Sequence, residues 1–345
     1  MTVQHTRIDE LSDLFGVEEL PLPVAHPAPA PLALFARRPT TVHQVDTQVA
    51  DVLVQELTAR AAILIRGLNI SGSVDAAQLA DRVFAGHQPF STGEHPEVDD
   101  HAGIYRPVRY SPSETLLWHH ENSFNATWPR YLMFVCARPA DEGGQTTIVD
   151  SRLVYEQMPA ELRAPVARHG ISYERLCDGR TSRSWQQIYE TTDWNQARQQ
   201  AEADGEELTF GDHSARIRAV RPAFLSVAHG VSWFNQILHW HPRALPDELR
   251  EMVTARLVPS YRSCKTGDGT AISPDTVLRL VEAHCAVELA VRWAAGDVLL
   301  IDNTIIAHGR RPFRGPREHF VRMAGHGRHH RKAVYAGHPH GGETR

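Results

Sequence analysis

The stretch Leu116-Leu117-Trp118-His119-His120-Glu121-Asn122-Ser123-Phe124 carries an imidazole and a carboxylate two residues apart within an apolar run. On a strand, side chains alternate with period two, so His119 and Glu121 would share one face while Trp118 and His120 take the other. A neutral imidazole nitrogen and a carboxylate oxygen converging in this way supply two donors of a two-histidine, one-carboxylate iron triad. The third must come from elsewhere, and His308 is the matching residue, in the apolar segment Asp302-Asn303-Thr304-Ile305-Ile306-Ala307-His308-Gly309-Arg310. With 21 histidines in 345 residues, a His-x-Glu pair also arises by accident, and His95-Pro96-Glu97 is one. Its proline argues for a loop or strand edge, and the neighbouring Glu94, Asp99 and Asp100 mark a solvated loop.

Other pairings of reactive residues carry less. His239-Trp240-His241 has the His-x-His spacing of a metal site, but a packed or substrate-side histidine is the expectation. Nothing in the sequence partners Ser123 or Ser151 with a histidine, which argues against a serine hydrolase. Arg310, Arg311, Arg314 and Arg317 follow His308 closely. A guanidinium there would suit a dicarboxylate, which it grips through two parallel hydrogen bonds, although most of these arginines would otherwise be solvated. Asn303 and Asp302 either line a pocket or tie strand ends together as a buried polar pair.

The elements that must position these residues are mostly strands. Ala61 to Gly67, Tyr131 to Cys136, Thr146 to Val149, Val231 to Gln236 and Val298 to Ile301 are short, apolar and rich in β-branched or aromatic residues. Helices are expected from Asp46 to Arg60, from a Ser73 cap to Gly86, over the exposed stretch Asp193 to Glu207, and after the Ser273-Pro274-Asp275 start signal. Pro159 and Pro165 should break a helical segment between Ser151 and Gly170. The expected organisation is a proline-rich arm over 1–40, one domain over 41–325 with a helical insert at about 151–220, and a His/Arg/Gly-rich tail over 326–345. The fold class is mainly β with helical insertions. A jelly roll, in which distant strands become neighbours, would let residues 119 and 308 meet.

Composition excludes several classes of function. A net charge of -5 gives no electrostatic case for nucleic acid or an anionic membrane, so the expected partner is a small-molecule substrate. Cys136, Cys177, Cys264 and Cys285 are scattered without a Cys-x-x-Cys, as free thiols in a reducing compartment would be. With no signal-like start and no apolar run of membrane length, the expected location is cytoplasmic.

A series of motifs carries a family likeness: Trp118 to Phe124, Gly143-Gly144-Gln145-Thr146 through Arg152, Ser184-Trp185-Gln186-Gln187, Arg221-Pro222-Ala223, Trp233-Phe234-Asn235-Gln236, Gly267-Asp268-Gly269, and Gly296-Asp297 through His308 to Arg317. In this order, over roughly residues 60 to 325, the sequence resembles the taurine-dioxygenase-like (TauD/TfdA) superfamily of iron(II)- and 2-oxoglutarate-dependent oxygenases, and its SyrP-like branch. The resemblance implies a double-stranded β-helix (jelly roll, clavaminate synthase-like), with Fe(II) on His119, Glu121 and His308 and with 2-oxoglutarate and O2 as cosubstrates. It implies that Thr146 and an arginine hold the distal carboxylate of 2-oxoglutarate. Arg317 is favoured over Arg322, which lies on the following strand with opposite parity. Implied too is hydroxylation of an unactivated carbon of an amino acid or amino-acid-derived metabolite in natural-product biosynthesis, free or tethered to a carrier protein. Related halogenases lack the carboxylate that Glu121 supplies, whereas desaturation, epoxidation and ring formation need the same centre. A catalytically silent metal-binding or sensor protein on this fold is the alternative of a different class. Arg106, Arg109, Asn235 and Asn303 are expected on the substrate side. The two arginines depart from the branch pattern and would bind a carboxylate or phosphate.

Overall fold

The computed structural model describes residues 10–329 except 92–94, 96, 99–100, 109, 181, 213, 245–249, 252, 254 and 256–259. Its largest sheet has eight strands, in the order Phe15–Glu19, Leu32–Thr41, Ala62–Asn69, Val298–Asp302, Thr127–Arg138, Glu318–Arg328, His101–Tyr105 and Glu97–Val98. A second sheet of four strands runs Glu288–Val291, Thr146–Asp150, Ile306–Arg310 and Leu116–His119. In both, strands distant in sequence lie side by side, as a jelly roll requires.

The central strand shows how the pattern of side chains builds the interior. Val298, Leu299, Leu300 and Ile301 are all fully buried, and the period of two divides them between two cores. Val298 and Leu300 join Ile63, Ile65, Met133 and Phe320 beneath apolar residues of the helices Thr47–Arg60 and Ser73–Val83. Leu299 and Ile301 turn the other way, to Leu64, Leu132, Val321 and Met323, and meet Ile148 and Ile306 from the second sheet. Each such burial contributes about 1.5–3 kcal/mol. A slip of one residue would exchange the two faces, so the cores also set the register.

Several expected elements form where the capping residues place them. Asp46 accepts a hydrogen bond from the Val49 N–H at 2.9 Å at the start of Thr47–Arg60, and Ser273 accepts from the Thr276 N–H at 3.0 Å before Pro274–Cys285. Asp193 caps Trp194–Asp204, which buries Ala197 and Ala201. Ser73 is no cap: it is the first residue of Ser73–Val83, behind Gly72, and the helix ends before Gly86. Pro165 lies inside the helix Ala160–His169 rather than breaking it.

The expected arm does not stand outside the sheet from residue 15 on. Phe15–Glu19 pairs antiparallel with Leu32–Thr41, which pairs in parallel with Ala62–Asn69. Leu11, Phe15, Leu32 and Leu34 are fully buried. The proline-rich run only connects the two strands, where no ladder N–H is needed.

The 151–220 region is not a purely helical insert either. Its helices alternate with Ile171–Cys177, Glu206–Phe210 and Ala215–Arg221, which form a separate four-stranded sheet with Arg262–Thr266. Ala215–Arg221 alternates buried and solvent-facing residues, and its arginines disguised it as polar. Gly230–Trp233 forms a hairpin with Phe224–Val227 rather than joining either large sheet. The strand Glu318–Arg328 runs into the expected tail, and residues 330–345 lie outside the described residues. All four cysteines are free, and Cys136, Cys177 and Cys264 are buried. Among the described residues no helix is long and apolar enough to cross a membrane.

Gly296 makes the turn into the central strand at a φ of +83°, and a Cβ there would lie 1.9 Å from the Leu68 carbonyl oxygen. Gly296→Ala should therefore lower stability by about 2 kcal/mol or more. Urea unfolding would show this as a lower midpoint at unchanged slope.

Candidate metal centre and cosubstrate pocket

The strand Ile306–Arg310 lies between Thr146–Asp150 and Leu116–His119, pairing antiparallel with both. On the second side the register sets His308 directly opposite His119, and the imidazole centroids are 4.2 Å apart. Gly309 permits this approach, because a Cβ there would lie 2.5 Å from the Leu116 carbonyl oxygen and 2.9 Å from Thr147 Oγ1. Glu121 arrives differently from the expectation. The strand ends at His119, and Glu121 lies in the turn beyond it, before Asn122 at a φ of 60°. The two side chains still converge, because the turn swings the carboxylate back over the strand end.

Glu121 Oε2 lies 3.7 Å from His119 Nε2 and 4.0 Å from His308 Nε2. One ligand atom from each of the three residues falls within 4.8 Å of the others. A point equidistant from three such corners is about 2.4 Å from each, close to the roughly 2.0–2.2 Å of metal bonds to imidazole nitrogen and carboxylate oxygen. The protonation pattern fits as well. His119 Nδ1 lies 3.2 Å from the Leu117 carbonyl, which can only accept, so the proton sits on Nδ1 and the Nε2 lone pair faces Glu121. Burial, helped by His119 and other nearby histidines, holds His308 far below the usual imidazole range and hence neutral. Burial alone would push the Glu121 carboxyl up, but the neighbouring histidines His95 and His119 outweigh it and hold the group below the usual carboxylate range. Two imidazoles and one carboxylate suit a divalent first-row metal.

The same cavity extends to Thr146, Arg310 and Arg317. Thr146 Oγ1 accepts the Trp293 indole N–H at 3.0 Å, which leaves the hydroxyl proton available to an anion. Arg310 and Arg317 both lie against the Phe313 ring, with guanidinium carbons 4.9 and 5.3 Å from its centroid. Burial first, and then the neighbouring charge of Arg310, push Arg317 down to about 10, still a cation at neutral pH. Its Nη2 lies 3.3 Å from His319 Nδ1, and its Nε, like that of Arg310, is buried with no hydrogen-bond partner among the described residues. Two desolvated cations side by side favour an incoming anion. Arg310 is already engaged, since its Nη2 donates to the Ser111 and Glu114 carbonyls at 2.7 and 2.9 Å. Arg322 is not part of this wall. Its neighbours Val321 and Met323 face the barrel interior, so Arg322 faces the helices, where Nη2 donates to Asp81 Oδ1 at 3.0 Å.

Of the residues expected on the substrate side, Arg106, Asn235 and Asn303 do not line the cavity. Arg106 is exposed, 3.7 Å from Glu318, and covers Phe320. Arg109 lies outside the described residues. Asn235 is buried behind the cavity, its Oδ1 accepting the Ile237 N–H at 3.0 Å. Asn303 turns its amide to the Glu121 main chain, so of its two expected roles the structure bears the buried polar tie. Ser151 does have a histidine partner, His120, at 2.8 Å, but both are buried and the other imidazole nitrogen meets a carbonyl rather than a carboxylate. Burial pushes His120 down to about 3, so it is neutral.

The sequence reading missed other parts of the wall. His95, assigned to a solvated loop, is half-buried and lines the cavity, as do Tyr110 and Phe124. His239 stacks on His119 at 4.1 Å and approaches the same Leu117 carbonyl at 2.7 Å, so it is packed and cavity-lining rather than part of a His-x-His metal site. No local signal marks these residues, because loops and a short helix bring them in from separate stretches.

Gly309→Ala would force the strands carrying His119 and His308 apart. Metal affinity should fall about 10-fold or more, and stability by about 1–3 kcal/mol. Co(II) titration alongside urea unfolding measures both.

Comparison with known proteins agrees with this geometry. Residues 29–324 match the family described as taurine catabolism dioxygenase TauD, TfdA family. Over 275 residues the chain is 28% identical to the dapdiamide synthesis protein DdaC of Enterobacter agglomerans, covering 78% of this chain and 82% of that one. A clavaminate synthase-like protein of Arabidopsis thaliana is 28% identical over 277 residues, covering 74% and 79%. The crystal structure of PvcB from Pseudomonas aeruginosa superposes with a TM-score of 0.51 at 15% identity, covering 90% of this chain and 91% of that one, which supports the fold. The chain therefore belongs to the TauD/TfdA family and is an iron(II)- and 2-oxoglutarate-dependent dioxygenase.

Proposed function

We propose that this enzyme hydroxylates an unactivated carbon of an amino acid or amino-acid-derived metabolite in a biosynthetic route. His119, Glu121 and His308 hold the iron, and Thr146 and Arg317 hold the distal carboxylate of 2-oxoglutarate. The observation that carries the reading is the joint presence, in one cavity, of a nitrogen, nitrogen, oxygen donor set and a buried guanidinium whose Nε has no partner among the described residues. The similarity to DdaC, named for dapdiamide synthesis, supports a small-molecule biosynthetic setting.

Bound iron(II) would supply dioxygen activation, with the keto acid as the source of two electrons. The chain's own residues do the positioning. Neutral imidazoles and one carboxylate leave a net positive charge on a divalent ion, which favours an anionic keto acid beside it. Thr146 and Arg317 fix the far end of that molecule by charge-assisted hydrogen bonds. Leu132, Phe134 and Val321 form an apolar wall, and Phe134 lies 5.1 Å from the His308 ring. The substrate approaches the wall formed by His95, Tyr110, Phe124 and His239.

Two comparisons test the assignment. Arg317→Leu should raise the KM for 2-oxoglutarate about 100-fold, equivalent to the roughly 1.5–3 kcal/mol of a charged hydrogen bond. Arg322→Leu should leave it within about 3-fold of wild type, because that side chain serves Asp81. Equal effects would reject the cosubstrate pocket. Glu121→Ala should abolish oxygen insertion, read by mass in a screen that compares free amino acids with carrier-bound ones. Full activity in that variant would mean that the metal site is misassigned, and no turnover together with no binding of iron and 2-oxoglutarate by the wild type would overturn the oxygenase reading.

A further inference from the structure

Behind Glu121 the chain buries a run of polar side chains on the far side from the cavity. Asn303 clamps the Glu121 main chain from both ends: its Oδ1 accepts the Glu121 N–H at 2.7 Å, and its Nδ2 donates to the Glu121 carbonyl at 3.0 Å. The same Nδ2 donates to the Pro129 carbonyl at 2.8 Å. Asn303 is itself held through its own carbonyl, which lies 2.5 Å from His120 Nδ1. A carbonyl can only accept, so Nδ1 carries the proton and Nε2 offers a lone pair. The Ser151 hydroxyl, 2.8 Å away, fills it. Ser151 is tied in turn to the next turn of chain, where its N–H donates to the Ile305 carbonyl at 2.9 Å.

His120 is anchored at its main chain too. Its carbonyl accepts Gln236 Nε2 at 2.8 Å and Ser123 Oγ at 3.0 Å. His120, Ser151 and Asn303 are buried to within 1%. Both imidazole nitrogens are occupied, which removes His120 from the ligand set. Ser151 is sealed away from the cavity, and no acid sits on Nδ1, so the pair does not activate a nucleophile. A fully satisfied polar chain in a dry interior rigidifies what it joins. Here it joins the start of the helix Ser151–Gln157, just after the strand Thr146–Asp150, to the turn after Val298–Asp302 and the turn that carries Glu121.

We propose that His120 is a positioning residue for the metal-binding carboxylate: bridging Ser151 and Asn303, it fixes the Glu121 turn so that the carboxylate meets His119 and His308 with its geometry already set. The inference rests on the reading of Glu121 as a metal ligand. Of the two adjacent histidines in the motif, the first binds and the second braces.

The test measures Co(II) affinity of the full chain without 2-oxoglutarate, together with the thermal midpoint of the metal-free protein. His120→Leu should weaken Co(II) binding about 10- to 100-fold. His120→Asn keeps a donor near the Nδ1 position for the Asn303 carbonyl and should recover affinity to within about 5-fold of wild type. A merely structural histidine would lower the thermal midpoint in both variants and leave affinity within about 3-fold, which would overturn the proposal. Equal weakening by Leu and Asn would overturn it as well. Because His120 acts through Asn303, adding His120→Leu to Asn303→Ala should weaken binding little beyond Asn303→Ala alone, whereas additive losses count against the relay. If His120→Leu does not fold, Ser151→Ala decides: a 3- to 10-fold loss supports the brace, and wild-type affinity rejects it. Glu121→Ala is the control for the underlying reading. Undiminished Co(II) binding there removes the metal assignment itself, whereas lost binding there with intact binding in the His120 variants removes only the brace.

Discussion

The antiparallel pairing of Leu116–His119 with Ile306–Arg310 is the contact on which the centre depends. It makes two imidazoles from distant parts of the chain direct cross-strand neighbours, and it does so with main-chain hydrogen bonds rather than with anything the imidazoles do themselves. The flanking cores hold that pairing in register. Alternate residues of the larger sheet face helices on one side and the barrel interior on the other, so a slip at any strand would turn apolar side chains toward the wrong partner. Gly309, with no room for a side chain, shows how closely the two strands approach.

Around that pairing the charges are sorted by depth. Burial and the neighbouring imidazoles keep His308 neutral, and the single carboxylate stays ionised because histidine neighbours compensate for its desolvation. Elsewhere in the cavity, the guanidinium groups of Arg310 and Arg317 both lie against the Phe313 ring. Arg310 holds the loop containing Ser111 and Glu114, Arg317 Nη2 lies 3.3 Å from His319 Nδ1, and the Nε of each is buried without a hydrogen-bond partner among the described residues.

Much of this was legible in the sequence where the signal was local or repetitive. The apolar run at Val298 to Ile301 and the caps at Asp46 and Ser273 all follow from spacing. The pairing of His119 with Glu121 was anticipated for a reason only half right, since a turn rather than strand alternation brings the carboxylate in. What stayed hidden depended on tertiary neighbours. Leu32–Thr41 lies beside a proline-rich run that masked it, and Ala215–Arg221 is a strand whose arginines resemble a polar surface. Asn303 and Ser151 were named without their partners, because a buried hydrogen bond leaves no periodicity to read. Arg106 was drawn toward the site by nearness in sequence, and its side chain reaches Glu318 instead.

The order of synthesis gives the strand pairing a temporal meaning. His119 and Glu121 leave the ribosome long before His308, and the strand that carries His308 inserts between two strands that were made earlier. Contacts of such long sequence separation form late, because chain entropy must be lost before they stabilise anything. A growing chain consequently has at most two of the three donors and no closed cavity. Cellular iron captured by such a chain would be held loosely and exposed to water, so firm retention of a redox-active ion is deferred until the barrel that shields it has closed.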